Sequence, residues 1–296
     1  MKRKRWGKKH EDERDWKQYN ETLVQRGEFY LNPRFLDTWL KEIKEMNQGK
    51  IGQPYIYPNS LIVFLSVLWS KGFDLRALQG IVRVLSRKLG PFPVISFSQI
   101  RRRILNLPMT FRRRSQSLVA SCDGSGMKAG NRGEWIRQKW KVQRGWIKVV
   151  IMGNTDGDIV DIRIGNEELD ERRAARGMIR KNQGQIEKVL LDGWHDCHET
   201  FDLCDRLGIE PGIKIRKNAK VTGVGPRPRE VRRFKKLGYK MWAKEKGYGY
   251  RWPASEGIFS AVKRMFGEGV RSHRTRNMYH EAGLKFWAYQ QIKEGK

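Results

Sequence analysis

Apolar positions along this chain change their period near residue 115. Upstream they recur every three or four residues: Tyr19, Leu23 and Val24, then Phe35, Leu36, Trp39, Leu40 and Ile43, then Leu75, Leu78, Ile81, Val82 and Leu85. That spacing gathers side chains on one face of an α-helix. Residues 61–69 are apolar almost throughout and predict a buried helix, with Asn59 as its cap and Lys71-Gly72 as its stop. Leu89-Gly90-Pro91 ends the helix that follows. Ser96 or Ser98 then caps another over residues 99–105, which carries Arg101, Arg102 and Arg103.

After Pro108 the pattern turns to strands. Residues 118–122 are a short apolar run, 186–191 is a strand ending in the apolar run Val189-Leu190-Leu191, and 146–152 is β-branched. Residues 159–164 return as a hairpin partner after the turn Asn154-Thr-Asp-Gly-Asp158. Residues 167–180 and 198–207 have helical spacing, and 209–215 reads as a fifth strand. The order β-β-β-α-β-α-β-α predicts an α/β unit in which an antiparallel hairpin feeds parallel strands. Near Ser255 a last amphipathic helix begins, with Ile258, Phe259, Val262, Met265 and Phe266 as its stripe. Two domains follow from this division, helical residues 1–114 and α/β residues 115–296.

Charge narrows the partner. The 296 residues hold 61 Lys and Arg against 32 Asp and Glu, a formal +29, which points to a polyanion, nucleic acid before any other. No stretch approaches the ~18 apolar residues of a membrane span. The basic N-terminus has no apolar run behind it, and three cysteines without framework spacing fit a reducing compartment. The expectation is a cytoplasmic, nucleoid-associated protein.

Two basic stretches stand out. Residues 101–114 hold six Arg and no acid. Two short helices leading into an Arg-rich third resemble a helix-turn-helix, whose last helix enters a DNA groove; a helical bundle with a solvated basic face is the other reading. Residues 214–240 hold eleven Lys or Arg against Glu230, among them Arg216, Lys217, Arg232 and Arg233. Gly223, Gly225, Pro226 and Pro228 suggest a loop over the first half of that run, suited to contacting phosphates without reading sequence. Trp135 and Trp140 sit among basic residues, where they can stack on unpaired bases; Trp146, on its strand, reads as core. His195, Cys197, His198 and Cys204 fit no standard zinc spacing.

Acids are scarce by comparison, and three have telling positions. Asp123 follows the run 118–122 and Asp192 the run 189–191, at the carboxyl ends of strands where α/β proteins bind ligands. Glu256 opens the last amphipathic helix. Lys263 lies seven residues further on, two turns along the same face. Hard divalent cations take oxygen ligands, and two ions about 4 Å apart clamp the attacking and leaving oxygens of a phosphodiester. Separations of 69 residues (192 − 123) and 64 (256 − 192) let each acid ride its own element. Taken singly, Asp123-Gly124 and Asp192-Gly193 are equally turn sequences, and Glu256 is equally a first-turn acid.

Asp123-Gly-Ser-Gly-Met-Lys128, Arg132-Gly-Glu-Trp135 and Arg144-Gly-Trp-Ile-Lys148 resemble the first catalytic block of DDE insertion-sequence transposases, in the large group classed with insertion sequences four and five. Leu190-Leu-Asp192-Gly-Trp194 resembles the second block, and Arg216-Lys-Asn-Ala219 the basic stretch after it. The segment from Tyr248 through Arg251, Glu256 and Lys263 to Glu268 resembles the third. In that family the third block spaces Tyr, two residues, Arg, three residues, Glu, six residues, Lys. Here four residues separate Arg251 from Glu256, Pro253 among them.

The resemblance implies an RNase H-like mixed sheet flanked by helices, preceded by an all-α, helix-turn-helix-like DNA-binding domain. It implies two Mg²⁺ (or Mn²⁺) ions held by Asp123, Asp192 and Glu256, with Lys263 at the catalytic centre. Tyr248, Arg251, Lys263 and Arg264 would lie along the DNA near the metals. The partners would be double-stranded DNA, both terminal inverted repeats and target, bound by a homodimer that cuts and joins strands. The irregular interval after Arg251 leaves open a catalytically inactive, domesticated DNA-binding copy. An RNase H-like nuclease that does not join strands is the remaining alternative.

Overall fold

A computed structural model of the chain describes residues 15–111, 118–130, 137–139, 141 and 145–294. Side-chain caps open most of the first helices. Asp15 accepts from the Gln18 N–H at the head of α1 (Trp16–Leu31), and Asp74 from the Ala77 N–H at the head of α4 (Leu75–Lys88). Ser96, rather than Ser98, caps α5 (Phe97–Leu105). Between them lie α2 (Phe35–Asn47) and α3 (Asn59–Ser70). Asn59 does not cap α3: it is the first helical residue, and its side chain accepts from Arg103 at 2.8 Å. Leu61, Ile62 and Leu65 of α3 are fully buried among Phe35, Leu78, Val82, Ile100 and Ile104.

The second half builds the sheet the pattern predicts. Its strands are β1 (Leu118–Lys128), β2 (Trp146–Asn154), β3 (Ile159–Gly165), β4 (Ile186–Leu191) and β5 (Glu210–Ile213). They lie in the order β3-β2-β1-β4-β5, antiparallel from β3 to β1 and parallel from β1 to β5. This is a five-stranded mixed sheet flanked by helices, as the resemblance implies. Pro211 is tolerated in β5 because that strand is an edge, where one row of N–H groups has no ladder partner.

Both faces are covered, which is why β2 is buried along nearly its whole length. Val150 and Met152 face α6 (Glu171–Lys181), α7 (His198–Arg206) and α8 (Pro226–Lys246). Val149 and Ile151 face α9 (Gly257–Phe266) and α10 (Thr275–Glu294). The last helix also reaches the helical core: Leu284 and Trp287 pack there, and the Trp287 indole donates to the Thr110 carbonyl at 3.2 Å.

Three local expectations need correcting. β1 does not end at residue 122 but runs to Lys128, because its pairing with β2 continues as far as Trp146; glycine stands at 124 and 126 because the side chains of Glu171 and Trp146 lie over them, where a Cβ would collide. Trp146 is therefore not core; its ring covers Gly126 and is 42% exposed. Pro226 and Pro228 belong to the first turn of α8 rather than a loop, a place where proline costs no helical hydrogen bond. Among the described residues, no helix is long and apolar enough to cross a membrane.

Candidate active site

Strand register sets Asp123 beside Asp192. β1 and β4 run parallel with Ser121 opposite Leu190. Two residues further along each strand direction come Asp123 and Asp192, on the same face by the two-residue period. Asp123 is mid-strand in β1, not at its end, and stands where pairing with β4 stops. Its Oδ1 accepts from the Gly124 N–H at 2.9 Å. Asp192 follows β4 and caps a single tight turn, Gly193–His195, by accepting from the Trp194 N–H at 2.9 Å.

That turn is clamped from two sides. The Arg216 guanidinium donates to the Gly193 carbonyl at 2.6 Å and to the Trp194 carbonyl at 2.9 Å. The Tyr248 hydroxyl donates to the Leu191 carbonyl at 3.1 Å. The sequence places both residues at DNA. In the structure Arg216 is engaged with the turn, and Tyr248, only 8% exposed, is engaged beneath the Asp192 backbone.

Glu256 arrives from the facing helix. α8 stops at Gly247, in the left-handed region at φ 62°, and a short turn, Tyr248–Tyr250, leads to Arg251. A π-helical turn, Trp252–Glu256, follows and runs into α9. The turn packs against the sheet so closely that a Cβ on Gly153 would strike the Ala254 carbonyl, and the Ser255 and Ser121 hydroxyls meet at 3.2 Å. Ser121 and Asp123 share a strand face, so this packing delivers Glu256 to the side of the sheet that carries the two aspartates.

The π turn accounts for the additional residue between Arg251 and Glu256. One residue inserted in an α-helix is absorbed by replacing an i→i+4 turn with an i→i+5 turn; here the Gly257 N–H bonds the Trp252 carbonyl. Positions five apart then take the relation that positions four apart have in an α-helix. Arg251 accordingly remains in direct contact with Glu256, with its other amino group 3.8 Å from Asp123 Oδ2.

The electrostatics single out Asp123. Burial pushes its carboxyl up to about 6, with Glu171 and Asp192 adding to the effect and the Gly124 N–H and Arg251 opposing it. Burial also raises the Tyr248 hydroxyl. Burial works against the Arg251 charge, but Tyr248, Glu256 and Asp123 together hold that guanidinium above its ordinary value. Among the described residues, no three His, Cys, Asp or Glu side chains are gathered closely enough to hold one ion by themselves. Mg²⁺ does not require this, since it takes one or two carboxylates and completes its shell with water and phosphate oxygens. Two register-matched aspartates, and a glutamate tied to Asp123 through a bridging cation, are an oxygen donor set of that kind.

Two neighbours escape the sequence reading. Glu171, at the start of α6, crosses over Gly124 and pairs with Lys148 at 3.3 Å. His195 is fully buried 3.9 Å from Glu171 Oε1 and 4.0 Å from Asp192 Oδ1, and neither ring nitrogen has a hydrogen-bond partner. His195 holds the Glu171 carboxyl below its usual range against burial, and Lys148 assists. In sequence, Glu171 is indistinguishable from a first-turn helix acid. His195 stands only in a cluster that fits no zinc spacing, and Cys204 of that cluster is buried in the core.

The remaining expected residues divide among separate surfaces. Lys263 lies 3.8 Å from Glu268, which also pairs with Lys128 at 3.1 Å, and Arg264 is exposed beside it. On α8, Arg232 donates to the Gly223 carbonyl and Arg233 pairs with Glu245, whereas Lys217, before that helix, is simply exposed. On α5 the three arginines diverge, as consecutive helical positions must. Arg103 bonds the Tyr57 carbonyl and Asn59, and Arg102 bonds Gln99, while Arg101 lines a different cleft. Trp135, Trp140, Arg132, Arg144 and the arginines at 112–114 lie outside the described residues.

Residues 114–290 match a family model described as a transposase DDE domain, and residues 24–132 match a second model of the same description. No curated protein matches the chain. Among solved structures, a piggyBac transposase synaptic complex with hairpin DNA is 8% identical, covering 92% of this chain and 75% of that one, with a TM-score of 0.40. A pre-cleavage Mos1 transpososome is 9% identical over 83% and 82%, with a TM-score of 0.22. A simian T-cell lymphotropic virus intasome bound to a PP2A regulatory subunit, B56 gamma, is 12% identical over 70% and 72%, with a TM-score of 0.26.

Proposed function

The chain belongs to the family of transposase DDE domains, and from that premise we propose that it cuts and joins double-stranded DNA at a site built from Asp123, Asp192 and Glu256. The observation that carries the reading is the register of β1 and β4, which sets Asp123 and Asp192 side by side on the face where the π turn presents Glu256. Residues 1–114 would supply a DNA-binding domain and residues 115–296 the catalytic one. A homodimer is the natural unit, because two element ends must be held together.

Two divalent ions, Mg²⁺ or Mn²⁺, would polarise the scissile phosphate and lower the pKa of the attacking hydroxyl. The protein's own groups prepare the place. Asp123 and Asp192 each tie one oxygen to a backbone N–H and leave the other for a ligand. Arg251 would exchange Glu256 and Asp123 for a DNA phosphate as the carboxylates take up metal. Lys263, with Lys128 nearby through Glu268, would hold the phosphate next along the strand. Tyr248 and Arg216 act as positioning residues, fixing the backbone on either side of Asp192.

In the first step a water oxygen bonds to phosphorus, the bond from phosphorus to the 3′-oxygen breaks, and that oxygen leaves as a 3′-hydroxyl. In the second, the same hydroxyl oxygen attacks a phosphorus of the target strand and displaces its 3′-oxygen, so that one phosphodiester replaces another. The additional residue before Glu256 suggests a silent DNA-binding copy; the π turn that absorbs it, and the retained contact between Arg251 and Glu256, favour an active one.

The experiment uses the inverted repeats bracketing the reading frame as substrate, with a supercoiled plasmid as target. Nicked repeats and joined plasmid are expected with Mg²⁺. Nicking without joining would reduce the activity to that of a nuclease, and tight binding without nicking would leave a DNA-binding protein.

A further inference from the structure

Helices α4 and α5 form one wall of a cleft of about 740 Å³ whose opposite wall comes from residues 271–277, nearly two hundred positions later in the chain. We propose that this cleft docks the phosphate backbone of double-stranded DNA, so that the end-binding surface is shared between the N-terminal helices and the segment before α10. The inference rests on the transposase reading and assigns to it a surface that the three arginines of α5 do not make by themselves.

Charge complementarity identifies the occupant. Four arginines line the cleft, Arg76, Arg101, Arg271 and Arg274, against a single carboxylate, Asp74. That carboxylate caps α4 by accepting from the Ala77 N–H, so its charge is partly answered by the helix it caps. Arg271 is structural. It donates to the carbonyls of Trp69 and Gly72, stacks on the Trp69 ring at 5.4 Å and lies 3.8 Å from the buried Glu281. These contacts bolt the late segment to the end of α3 and hold the second wall in place.

The other three, Arg76, Arg101 and Arg274, are exposed. Arg76 lies 4.9 Å above the Phe97 ring, which stiffens its side chain over an apolar floor. Planar, permanently charged heads at the rim of an open cleft, that of Arg76 preordered on its ring, suit phosphate oxygens. Arg102 and Arg103 face a second cleft on the far side of α5, together with Tyr55 and Asn59. The helix therefore presents one arginine, not three, to the composite surface.

The test reads the salt dependence of binding. Each phosphate contact contributes about 0.9 to the slope of log K against log salt for duplex DNA. The full chain is titrated in EDTA with a duplex of about 30 base pairs and arbitrary sequence, by fluorescence anisotropy at several salt concentrations. In Arg76→Ala/Arg101→Ala/Arg274→Ala the slope is expected to fall by about 2.7, with affinity at least tenfold weaker at low salt. The triple lysine variant at the same positions should keep most of the slope. Lys17→Ala/Lys41→Ala/Lys44→Ala, which removes the same charge from exposed positions on α1 and α2, should change it by less than one.

A steep slope retained by the alanine variant overturns the cleft assignment and leaves the transposase reading standing. A slope that falls only with single-stranded probe assigns the cleft to single strands and overturns it too. A wild-type chain that binds the duplex without salt dependence removes the DNA reading altogether. Circular dichroism of each variant confirms that the folded state is the one being compared.

Discussion

Asp123→Asn should stabilise the metal-free protein, and by an amount set by pH. Asparagine keeps the shape of the side chain and the oxygen that accepts from Gly124, but carries no charge. In the folded chain the Asp123 carboxyl is pushed from 3.8 up to about 6, first by burial and then by Glu171 and Asp192. A carboxyl raised in this way holds its proton more tightly folded than unfolded, so its contribution is fully present below pH 3.8 and lost as pH rises through 6. At about 1.4 kcal/mol per pH unit, that interval amounts to about 3 kcal/mol against the wild type above pH 7. With an unfolding entropy of about 2 cal/mol/K per residue, 3 kcal/mol is a rise in Tm of about 5 °C for the variant.

Scanning calorimetry in EDTA at pH 8 and pH 4.5 measures this directly. The variant should melt about 5 °C above wild type at pH 8 and only about 2 °C above it at pH 4.5, where about 1 kcal/mol of the difference remains. Added Mg²⁺ should then raise the wild-type Tm and leave the variant unmoved, since a ligand stabilises only the state that binds it. A variant that gains nothing at pH 8, or gains equally at both pH values, would refute the strained-carboxylate account.

Three further substitutions test the frame around the acids. Gly153→Ala places a methyl group against the Ala254 carbonyl; a cost of about 1–3 kcal/mol by thermal melting is expected, with cleavage falling further than DNA binding because Glu256 shifts with the π turn. Tyr248→Phe removes the hydroxyl bonded to the Leu191 carbonyl, which should cost about 1 kcal/mol and lower kcat with KM nearly unchanged. Arg251→Ala removes a charge that holds the Asp123 carboxyl down; the acid limb of the cleavage rate should move to higher pH, and a limb that moves down or stays put would contradict the placement of the guanidinium.

Much of the fold can be read from period alone, since strand runs of three to five apolar residues and helix stripes at three and four are local signals. Asp123 and Asp192 are legible for the same reason: each follows such a run. Where β1 ends is not legible. Glycine at 124 and 126 looks like a turn until α6 crosses the sheet and sets Glu171 over the first of them. The partnership of Glu171, Lys148 and His195 depends on that same crossing, and no local pattern encodes it. The additional residue before Glu256 is visible as an irregular interval, but its consequence depends on how the backbone absorbs it. An α-helical register would have turned Glu256 away from Arg251; the π turn keeps them together. Likewise the run Arg101-Arg102-Arg103 suggests one contact surface, whereas helical geometry divides it between two clefts.

The central claim is that three carboxylates from β1, β4 and the turn before α9 work as one metal-dependent centre on DNA. Its most direct test is Mg²⁺-dependent cleavage of the repeats flanking the reading frame by the wild type and by Asp123→Asn, Asp192→Asn and Glu256→Gln, with DNA binding measured alongside. Each single variant should retain binding and lose cleavage by a factor of at least about a thousand, the scale expected when charge stabilisation at the reacting phosphate is removed. Cleavage that survives the loss of any one of the three would contradict the claim.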